Sequence, residues 1–379
     1  MKNSYDIILY FGWVHSSCIH KYFSLEKELN KQCNTLLILG NSGSAFCPNY
    51  GITQDQFLMF KDISENVIVA NIEQASSIML QQKPKILVFG GEKWSQDWQR
   101  NVGRSLPKTT TIQLPHGVFG EVWEKARPDY LATLGPVHEL FLKANKPAFK
   151  DTKKMLINPW LQELNEDCLP KKLDRQAFCL KYNLNPDKDI FIWLPDMLLV
   201  SGGKELDPRY GVTREELLGI YREVCSLENT IIKLHPSEYK RHKANRIQNQ
   251  WSYELAGTSA PVLDPIDSHW AYKYCASGIT HTSSIGLEFG FLRRPVVHIA
   301  AGAASHWDPE WKIEGKSYYS WVGHECPQDK ITEFFLEKKY KIEDSSLYEK
   351  HREKFCIDPQ ANSIELLSKK ITSIELIRK

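Results

Sequence analysis

The sequence predicts an α/β protein made of two halves, each a mostly parallel sheet flanked by helices. Apolar runs of strand length alternate with helix-length segments along most of the chain, which is typical of βαβ units. The alternation breaks between residues 158 and 189 and then resumes. The chain has 379 residues, a length that fits two domains.

In the first half, short apolar runs end in loops that contain glycine, proline or histidine. We expect strands at residues 5–11, 35–39, 66–70, 85–89, 110–114, 130–133 and 155–157, and helices at 19–31 and 72–82. Mixed charge between two prolines favours an interdomain connection over residues 158–189, with room for one helix inside it.

In the second half, the same reasoning predicts strands at residues 190–194, 231–234, 279–280 and 295–299, and helices at 214–226 and from 284 onward. Apolar residues at helical spacing predict a last helix: Ile364, Leu367, Ile371, Ile374 and Ile377. We expect domains at residues 1–165 and 166–360, and a closing helix at 361–379 that packs back on the first domain. Two such Rossmann-like sheets make a cleft between their strand ends.

The composition excludes several classes of protein. Lys and Arg number 48 against 46 Asp and Glu, so a net charge of +2 gives no field that favours nucleic acid as a partner. The nine cysteines form no Cys-x-x-Cys pair, which indicates reduced thiols in a cytoplasmic protein. No run of 18 apolar residues is present, and the N-terminal run is too short to span a bilayer. Any contact with the inner membrane is therefore expected to be peripheral.

Two loops of the first half carry candidate residues. Residues 114–120 place His116 between a strand end and two glycines, and a neutral imidazole there can take a proton from a hydroxyl. The alternative is a histidine bonded to a backbone carbonyl in a turn. The loop after the first strand, with Gly12, His15 and Ser16, is predicted to face the cleft on the acceptor side. Although His15 and His20 have metal-like spacing, no second ligand pair accompanies them, so we predict no metal site.

The strand at residues 231–234 runs directly into His235 and Pro236. Proline cannot donate to the ladder, so pairing should stop there, at the edge where open α/β sheets bind ligands. His235 could donate a hydrogen bond to a phosphate, and Lys233 could add positive charge. The alternative is a strand-end histidine that caps backbone groups. The basic run 240–243 is either a solvated helix face or a contact for an anionic acceptor or a lipid surface.

A third loop precedes the helix predicted from residue 284. Thr282, Ser283 and Ser284 are suited to cap the helix, whose N-terminal N–H groups and dipole attract phosphate. Gly286 would let a ligand approach the first turn. Glu288 lies one turn after Ser284 and could bind the two hydroxyls of a ribose. The alternative is an ordinary N-cap, with Glu288 stabilising the helix dipole.

Other motifs are missing or misplaced. The Asp187-x-Asp189 pair precedes a strand and is interpreted as a solvated turn rather than a cation site. No Gly-x-x-x-x-Gly-Lys-Ser/Thr sequence is present, so a P-loop is not expected. Ser42 misses the Gly-x-Ser-x-Gly spacing of a serine hydrolase.

The order of the motifs resembles GT-B-fold transferases of bacterial surface polysaccharides. Four motifs carry the resemblance. They are His-Gly in the first half, His-Pro at a strand end in the second half, a Ser-Ser pair before a helix with Gly and Glu, and then Pro-Val-Val. The chain is similar to capsular Kdo and sialic-acid transferases and to teichoic-acid CDP-glycerol glycerophosphotransferases. The resemblance covers residues 110–145 and 229–300.

The resemblance implies a GT-B-like fold and a role for each candidate residue. His116 matches a proposed base, His235 a donor-phosphate contact, Ser283 and Ser284 a hydroxyl pair at that phosphate, and Glu288 a ribose ligand. The sequence departs from the glycerophosphotransferases in two places. His281-Thr282 replaces Asp-Tyr, and Val118-Phe119-Gly120-Glu121 replaces Thr-Pro-Leu-Lys, which favours a sugar donor. It also leaves Glu121 or Glu124 as an alternative base to His116.

We therefore expect a metal-independent glycosyltransferase with no cofactor. It would move a sugar from a nucleotide-activated donor, of CMP or CDP type, to a hydroxyl of a saccharide or glycolipid acceptor. The donor would lie in the second domain, and closure of the halves would exclude water. A polyol-phosphate transferase, a non-hydrolysing NDP-sugar 2-epimerase and a non-catalytic subunit of a capsule assembly complex stay open as alternatives.

Overall fold

The chain divides into two compact units. The N-terminal unit is Met1–Lys172 with Glu353–Lys379, and the C-terminal unit is Leu173–Arg352. The computed structural model describes residues 4–12, 19–41, 54–60, 63–64, 66–90, 96–114, 126–133, 135–136, 139, 152–155, 157, 166–169, 172–195, 212–235, 238, 251–281, 283, 285–300, 323–355 and 362–377.

Twelve strands form the two sheets in the described residues. They are β1 (Ile7–Phe11), β2 (Thr35–Gly40), β3 (Val67–Ala70), β4 (Ile86–Phe89), β5 (Thr110–Gln113), β6 (Tyr130–Ala132), β7 (Lys153–Met155), β8 (Phe191–Leu194), β9 (Thr230–Ile232), β10 (Ser277–Thr280), β11 (Val296–Ala300) and β12 (Gly323–Pro327).

Helices connect most of these strands. They are α1 (Ile19–Asn30), α2 (Gln54–Phe60), α3 (Ile72–Gln82), α4 (Gln96–Ser105), α5 (Arg175–Lys181), α6 (Arg214–Ser226), α7 (Ser252–Ala256), α8 (Ser268–Tyr274), α9 (Gly286–Phe291), α10 (Ile331–Leu336), α11 (Ser346–Phe355) and α12 (Ser363–Ile377). None of the helices in the described ranges is long and apolar enough to cross a membrane.

The N-terminal unit contains a parallel sheet of seven strands in the order β3-β2-β1-β4-β5-β6-β7. The strand order reverses between β1 and β4, as in a doubly wound fold. Strands β1, β2 and β4 are buried along their whole length, because helices cover the sheet. Helix α12 packs against α1 within this unit.

The C-terminal unit contains a parallel sheet in the order β12-β11-β10-β8-β9. Residues 261–263 extend it beyond β9, because the Ile232 N–H donates to the Pro261 carbonyl at 2.8 Å and the Leu263 N–H donates to the Ile232 carbonyl at 2.7 Å. With this added edge, the strands follow the order of the dinucleotide-binding fold. The prediction of two Rossmann-like sheets is confirmed.

Three of the differences from the sequence-based elements concern how the sheets are built and joined. Strand β7 lies at Lys153–Met155 rather than at residues 155–157, in register with Tyr130–Ala132. Strand β12 was not predicted, because its sequence, Gly-His-Glu-Cys-Pro, is mostly polar and pairs only at the edge of the sheet.

The third difference concerns residues 173–189, which were interpreted as the end of a connection, although the second domain was expected to begin at residue 166. They pack into the C-terminal unit, and Arg175 fixes them there. Its guanidinium donates to the carbonyls of Pro186, Lys188 and Tyr274 at 2.8–2.9 Å. Asp187 and Asp189 are exposed, as expected for a solvated turn.

Candidate functional site

The candidate donor site lies at the carboxyl edge of the C-terminal sheet. Strand β8 pairs with β9 on one side and with β10 on the other, and the strand order reverses between β8 and β10. In open α/β sheets, ligands bind at the carboxyl ends beside such a reversal. Two predicted loops follow β9 and β10, so the fold brings them to the same edge, about 10 Å apart at two strand spacings.

Lys233 and His235 continue the line of β9 beyond its last residue. The Lys233 N–H donates to the Trp193 carbonyl at 2.9 Å, so the ladder with β8 persists past Ile232. Because side chains alternate along an extended chain, Lys233 and His235 lie on the same face. The Lys233 side chain is buried and that of His235 is half-buried. A cation at such a position acts through a lower dielectric than one in bulk water.

The turn after His235 is anchored by a buried carboxylate that the sequence did not point to. Glu238, only 2% exposed, donates its own N–H to the His235 carbonyl at 2.9 Å. Its carboxylate accepts hydrogen bonds from the Ser252 N–H at 3.1 Å and from the Ser252 hydroxyl at 2.9 Å. Glu238 therefore ties the His235 turn to the first residue of α7.

Tyr221 extends this network into the core. Its hydroxyl lies 3.1 Å from that of Ser252, and its ring makes an edge contact with Trp193. Burial, together with the charge of Glu238, raises the pKa of Tyr221 well above its usual range. Tyr221 therefore stays protonated and able to donate at any physiological pH.

The turn after β10 is organised by Thr280, whose side chain is fully buried. Its hydroxyl donates to the Leu194 carbonyl at 3.3 Å and accepts the Ser283 N–H at 2.8 Å. One hydroxyl thus links the ends of β8 and β10 to the Ser283 turn.

The predicted helix cap differs in the structure. Helix α9 begins at Gly286 with Ile285 at the N-cap, and it has only six residues. The Ser283 hydroxyl accepts the Ile285 N–H at 3.4 Å, and the Ser283 carbonyl accepts the Gly286 N–H at 3.2 Å. The Glu288 N–H donates to the Ile285 carbonyl at 2.9 Å. Because these N–H groups bond within the turn, side chains rather than a free helix terminus are left to contact an anion.

Gly278 sets the position of α9 on the sheet. A Cβ atom on Gly278 would lie 2.9 Å from the ring of Phe289, which packs directly over the strand. Glu288 precedes this buried phenylalanine and is half-buried. A small residue in β10 is therefore needed for the Ser283 turn to lie where it does.

Two histidines stack beside this turn. The ring centroids of His281 and His298 are 6.4 Å apart and the rings are nearly parallel. Burial, together with the charge of His281, lowers the pKa of His298 to about 4, against a hydrogen bond to the His281 backbone that raises it. His298 is therefore neutral at pH 7 and adds no positive charge to the site.

The N-terminal unit places Gly12 directly after β1, at the carboxyl edge and buried. A Cβ atom on Gly40 would lie 2.3 Å from the Gly12 carbonyl oxygen, so the ends of β1 and β2 come into backbone contact there. The other predicted residues of this unit lie outside the described residues: His15, Ser16, His116 and Glu121. Thr282 and Ser284 of the C-terminal unit lie outside them as well.

Among the residues that the structure describes, no group of three or more His, Cys, Asp or Glu side chains is arranged to hold a metal ion. The carboxyl edge of the C-terminal sheet instead offers an ammonium group, an imidazole and a hydroxyl. Such groups can bind phosphate oxygens and stabilise the charge of a phosphate leaving group.

Sequence reasoning missed Glu238, Thr280 and His298 as parts of the site. Glu238 is close to His235, but a glutamate after His-Pro-Ser is expected to be exposed. His298 interrupts an aliphatic strand, Val-Val-His-Ile, and that interruption was the available signal for a half-buried polar residue at this edge.

Comparisons with known proteins agree with this architecture. No protein-family model and no curated protein matches the chain. Among solved structures, the wall teichoic acid polymerase TagF matches with a TM-score of 0.58 at 14% identity, over 98% of this chain and 88% of that one.

Two sugar-nucleotide epimerases match at a similar level. A putative UDP-N-acetylglucosamine 2-epimerase from Listeria monocytogenes has a TM-score of 0.58 at 13% identity, covering 97% of this chain and 94% of that one. The UDP-GlcNAc 2-epimerase from Neisseria meningitidis, bound to UDP-GlcNAc, has a TM-score of 0.55 at 12% identity, covering 98% and 100%. The chain therefore has the GT-B-like fold of two Rossmann-like domains.

Proposed function

We propose that this protein is a metal-independent glycosyltransferase. It moves a sugar from a nucleotide-activated donor, of CMP or CDP type, to a hydroxyl of a surface saccharide or glycolipid, and its C-terminal unit binds the donor. One observation carries the proposal. Lys233 and His235 after β9, and Ser283 after β10, flank β8 at the carboxyl edge where the strand order reverses.

Each of these groups has a role in the transfer. The bond between the anomeric carbon and the phosphate oxygen breaks, and the nucleotide leaves with the electron pair. Lys233 and His235 stabilise the charge that develops on the phosphate, and the Ser283 hydroxyl donates to one of its oxygens. Glu288 is proposed to bind the ribose hydroxyls, and Gly286 leaves room beside them.

The new bond forms between the acceptor oxygen and the anomeric carbon. His116 is proposed to take the proton of that hydroxyl, with Glu121 as the alternative base, and the loop with Gly12, His15 and Ser16 is proposed to contact the acceptor. Peripheral contact with the inner membrane would give access to a lipid-linked acceptor.

Thermal denaturation with CMP, CDP, UDP, GDP and ADP tests the donor site. A ligand that binds only the native state raises the midpoint according to its affinity and concentration. We expect CMP or CDP to raise it and His235→Ala to abolish the rise. His324→Gln, a half-buried histidine of β12 in the same unit, is the matched control and should leave the rise intact. If none of the five nucleotides shifts the midpoint, the proposed function is wrong.

The two candidate histidines should differ in kinetics. We expect His235→Ala to weaken donor binding, and His116→Ala to leave donor binding intact while it lowers the turnover number. Equal loss of donor binding in both variants would contradict this division of roles.

A second candidate function is supported by the structural likeness to two UDP-GlcNAc 2-epimerases. Epimerisation breaks a C–H bond of the sugar, so an epimerase working in D₂O would leave deuterium in its product. A midpoint raised only by UDP, with deuterium entering UDP-GlcNAc, would establish the epimerase instead. The likeness to TagF keeps a polyol-phosphate transferase open, and transfer of glycerol phosphate from CDP-glycerol would reveal it.

A further inference from the structure

A cavity of about 230 Å³ lies in the N-terminal unit. It is bounded by α4, by β5 and by the residues that precede β6. The volume is below the ~300 Å³ at which pockets for drug-sized ligands begin, so it suits one sugar or polyol unit rather than a nucleotide.

Three arginines line this cavity, two of them outside any ion pair with the described residues. Arg100 pairs with Asp97 on its own helix at 3.1 Å. Arg104 and Arg127 line the cavity as well and form no ion pair within the part of the chain that the structure describes. Asp129 is the acidic lining residue, and its Oδ2 atom already accepts the N–H and hydroxyl of Thr111 at 2.8 and 3.0 Å. The wall is therefore positively charged on balance.

Two residues that line the cavity carry buried polar atoms without partners among the described residues. Gln113 is 2% exposed and lines the cavity, and neither its Nε2 nor its Oε1 has a hydrogen-bond partner among the described residues. The buried Nε of Arg100 also lacks one there. Native proteins leave few such atoms unsatisfied, and a ligand or water normally satisfies those that remain. Gln113 offers both a donor and an acceptor, so it matches a ligand that carries hydroxyls as well as charge.

The frame around these groups is rigid. A Cβ atom on Gly103 would lie 3.2 Å from the Cγ2 atom of Thr111, so α4 packs closely on β5. The hydrogen bonds from Thr111 to Asp129 fix the segment that precedes β6, which forms the opposite wall, to the same strand β5. Arg127 has a φ of 46°, a left-handed conformation that is uncommon for arginine and that holds its backbone in a tight bend at the rim.

We propose that this cavity binds an oxyanion, a phosphate or a carboxylate, that is carried by a hydroxylated unit such as an acidic sugar or a polyol phosphate. Arg104 and Arg127 bind the anion, the Arg100 Nε–H adds a donor, and the Gln113 amide exchanges hydrogen bonds with a hydroxyl. The site is independent of the donor site, since it belongs to the other unit and to other residues.

Isothermal titration calorimetry of the full chain tests this proposal. The probes are glycerol 3-phosphate, glucuronate, inorganic phosphate and uncharged glycerol at constant ionic strength. We expect saturable binding of glycerol 3-phosphate or glucuronate, weaker binding of inorganic phosphate, and none of glycerol. Binding of glycerol 3-phosphate alone identifies a phosphate ester as the ligand class, and binding of glucuronate alone identifies a carboxylate.

Variants then locate the binding. Arg127→Asn removes the charge while keeping a residue that tolerates the left-handed backbone, and Gln113→Met removes the amide at similar size. Arg127→Asn should weaken binding about tenfold, the usual effect of losing one hydrogen bond to a charged group. Gln113→Met should weaken it about fivefold, because the hydrogen bond lost there joins neutral groups. Arg104→Gln, at an exposed helical position, gives the same test without risk to folding.

Lys108→Gln is the matched control, because Lys108 is an exposed cation near the cavity that does not line it. It should change the affinity less than twofold, as expected for a charge in solvent. The proposal is overturned if no probe binds, or if Lys108→Gln weakens binding as much as Arg127→Asn does. Circular dichroism and melting curves show that each variant is folded. Because none of the probes contains a nucleotide, the result does not depend on the proposed donor site.

Discussion

Replacing Glu238 with alanine should release the turn that carries His235. The change removes the acceptor of two hydrogen bonds from Ser252, at 3.1 and 2.9 Å, in a fully buried position. A hydrogen bond to a charged group contributes about 1.5–3 kcal/mol. The Ser252 hydroxyl can still reach Tyr221, at 3.1 Å, so part of the loss is recovered. We therefore expect a loss of about 3 kcal/mol in the free energy of unfolding.

Urea unfolding and amide hydrogen exchange measure this loss. Tryptophan fluorescence follows the unfolding of the whole protein, and exchange at the Ser252 amide reports the local opening in the C-terminal unit. Glu254→Ala is the matched control on the same helix. Its carboxylate accepts the Trp251 N–H at 2.8 Å but is exposed, so its removal should cost about 1 kcal/mol or less.

The same substitution should weaken donor binding. Because the Glu238 carboxylate ties the His235 turn to α7, its loss should lower nucleotide affinity about tenfold in the calorimeter. The reasoning would be refuted if Glu238→Ala left the Ser252 amide as protected as in the wild type and moved the unfolding free energy no more than Glu254→Ala does.

Three further substitutions test other parts of the structure. Gly40→Ala places a methyl group 2.3 Å from the Gly12 carbonyl oxygen and should destabilise the protein by about 3 kcal/mol in thermal unfolding. Gly219→Ala on helix α6 is the control, because no atom lies within 4 Å of the added methyl group, and it should stabilise the protein. Equal effects of the two substitutions would contradict the contact between Gly40 and Gly12. Thr280→Val keeps the shape of the side chain but leaves the Leu194 carbonyl and the Ser283 N–H without their partner. Urea unfolding should show a loss of about 2 kcal/mol in the free energy of unfolding. An unchanged midpoint would argue against the link that the Thr280 hydroxyl makes between these two segments. The pKa of His298 is lowered to about 4, so the unfolded state binds more protons between pH 6.5 and 4, and stability should fall across that window as the pH falls, by on the order of 2 kcal/mol. His298→Gln should remove this slope, and a slope that persists in the variant would assign it to another group.

The sheets were predictable because their strands are short apolar runs at regular intervals. The predicted strands at residues 35–39, 85–89 and 190–194 lie within one residue of β2, β4 and β8. Helices α3 and α6 match their predicted bounds, because capping boxes at Asn71 and Thr213 fix where they begin. Local chemistry was sufficient for these elements.

Elements whose pattern is set by tertiary contacts were not predictable. The polar edge strand β12 is held by its pairing with β11, and the short helix α7 depends on a carboxylate from another segment. Neither element has a periodic pattern of apolar residues in its own sequence.

The sequence was sufficient to predict that His235 and Ser283 follow strand ends of the second sheet. It was not sufficient where a residue acts through burial. Glu238 and Thr280 are polar residues of ordinary type, and only their complete enclosure and their partners on distant segments give them a role. Burial of a single polar side chain depends on the whole fold and cannot be derived from its neighbours in sequence.

The packing of α12 on α1 has a consequence for synthesis on the ribosome. The two helices belong to one unit, yet the whole of Leu173–Arg352 is translated between them. At ~5–20 residues per second, α1 waits on the order of twenty to seventy seconds for the helix that covers it. The inner face of α12, with Leu367 and Ile371 fully buried, shows that the surface left open is apolar. The C-terminal unit can therefore complete its fold first. Until α12 has emerged, the nascent chain exposes an apolar surface at α1 that a ribosome-associated chaperone could cover.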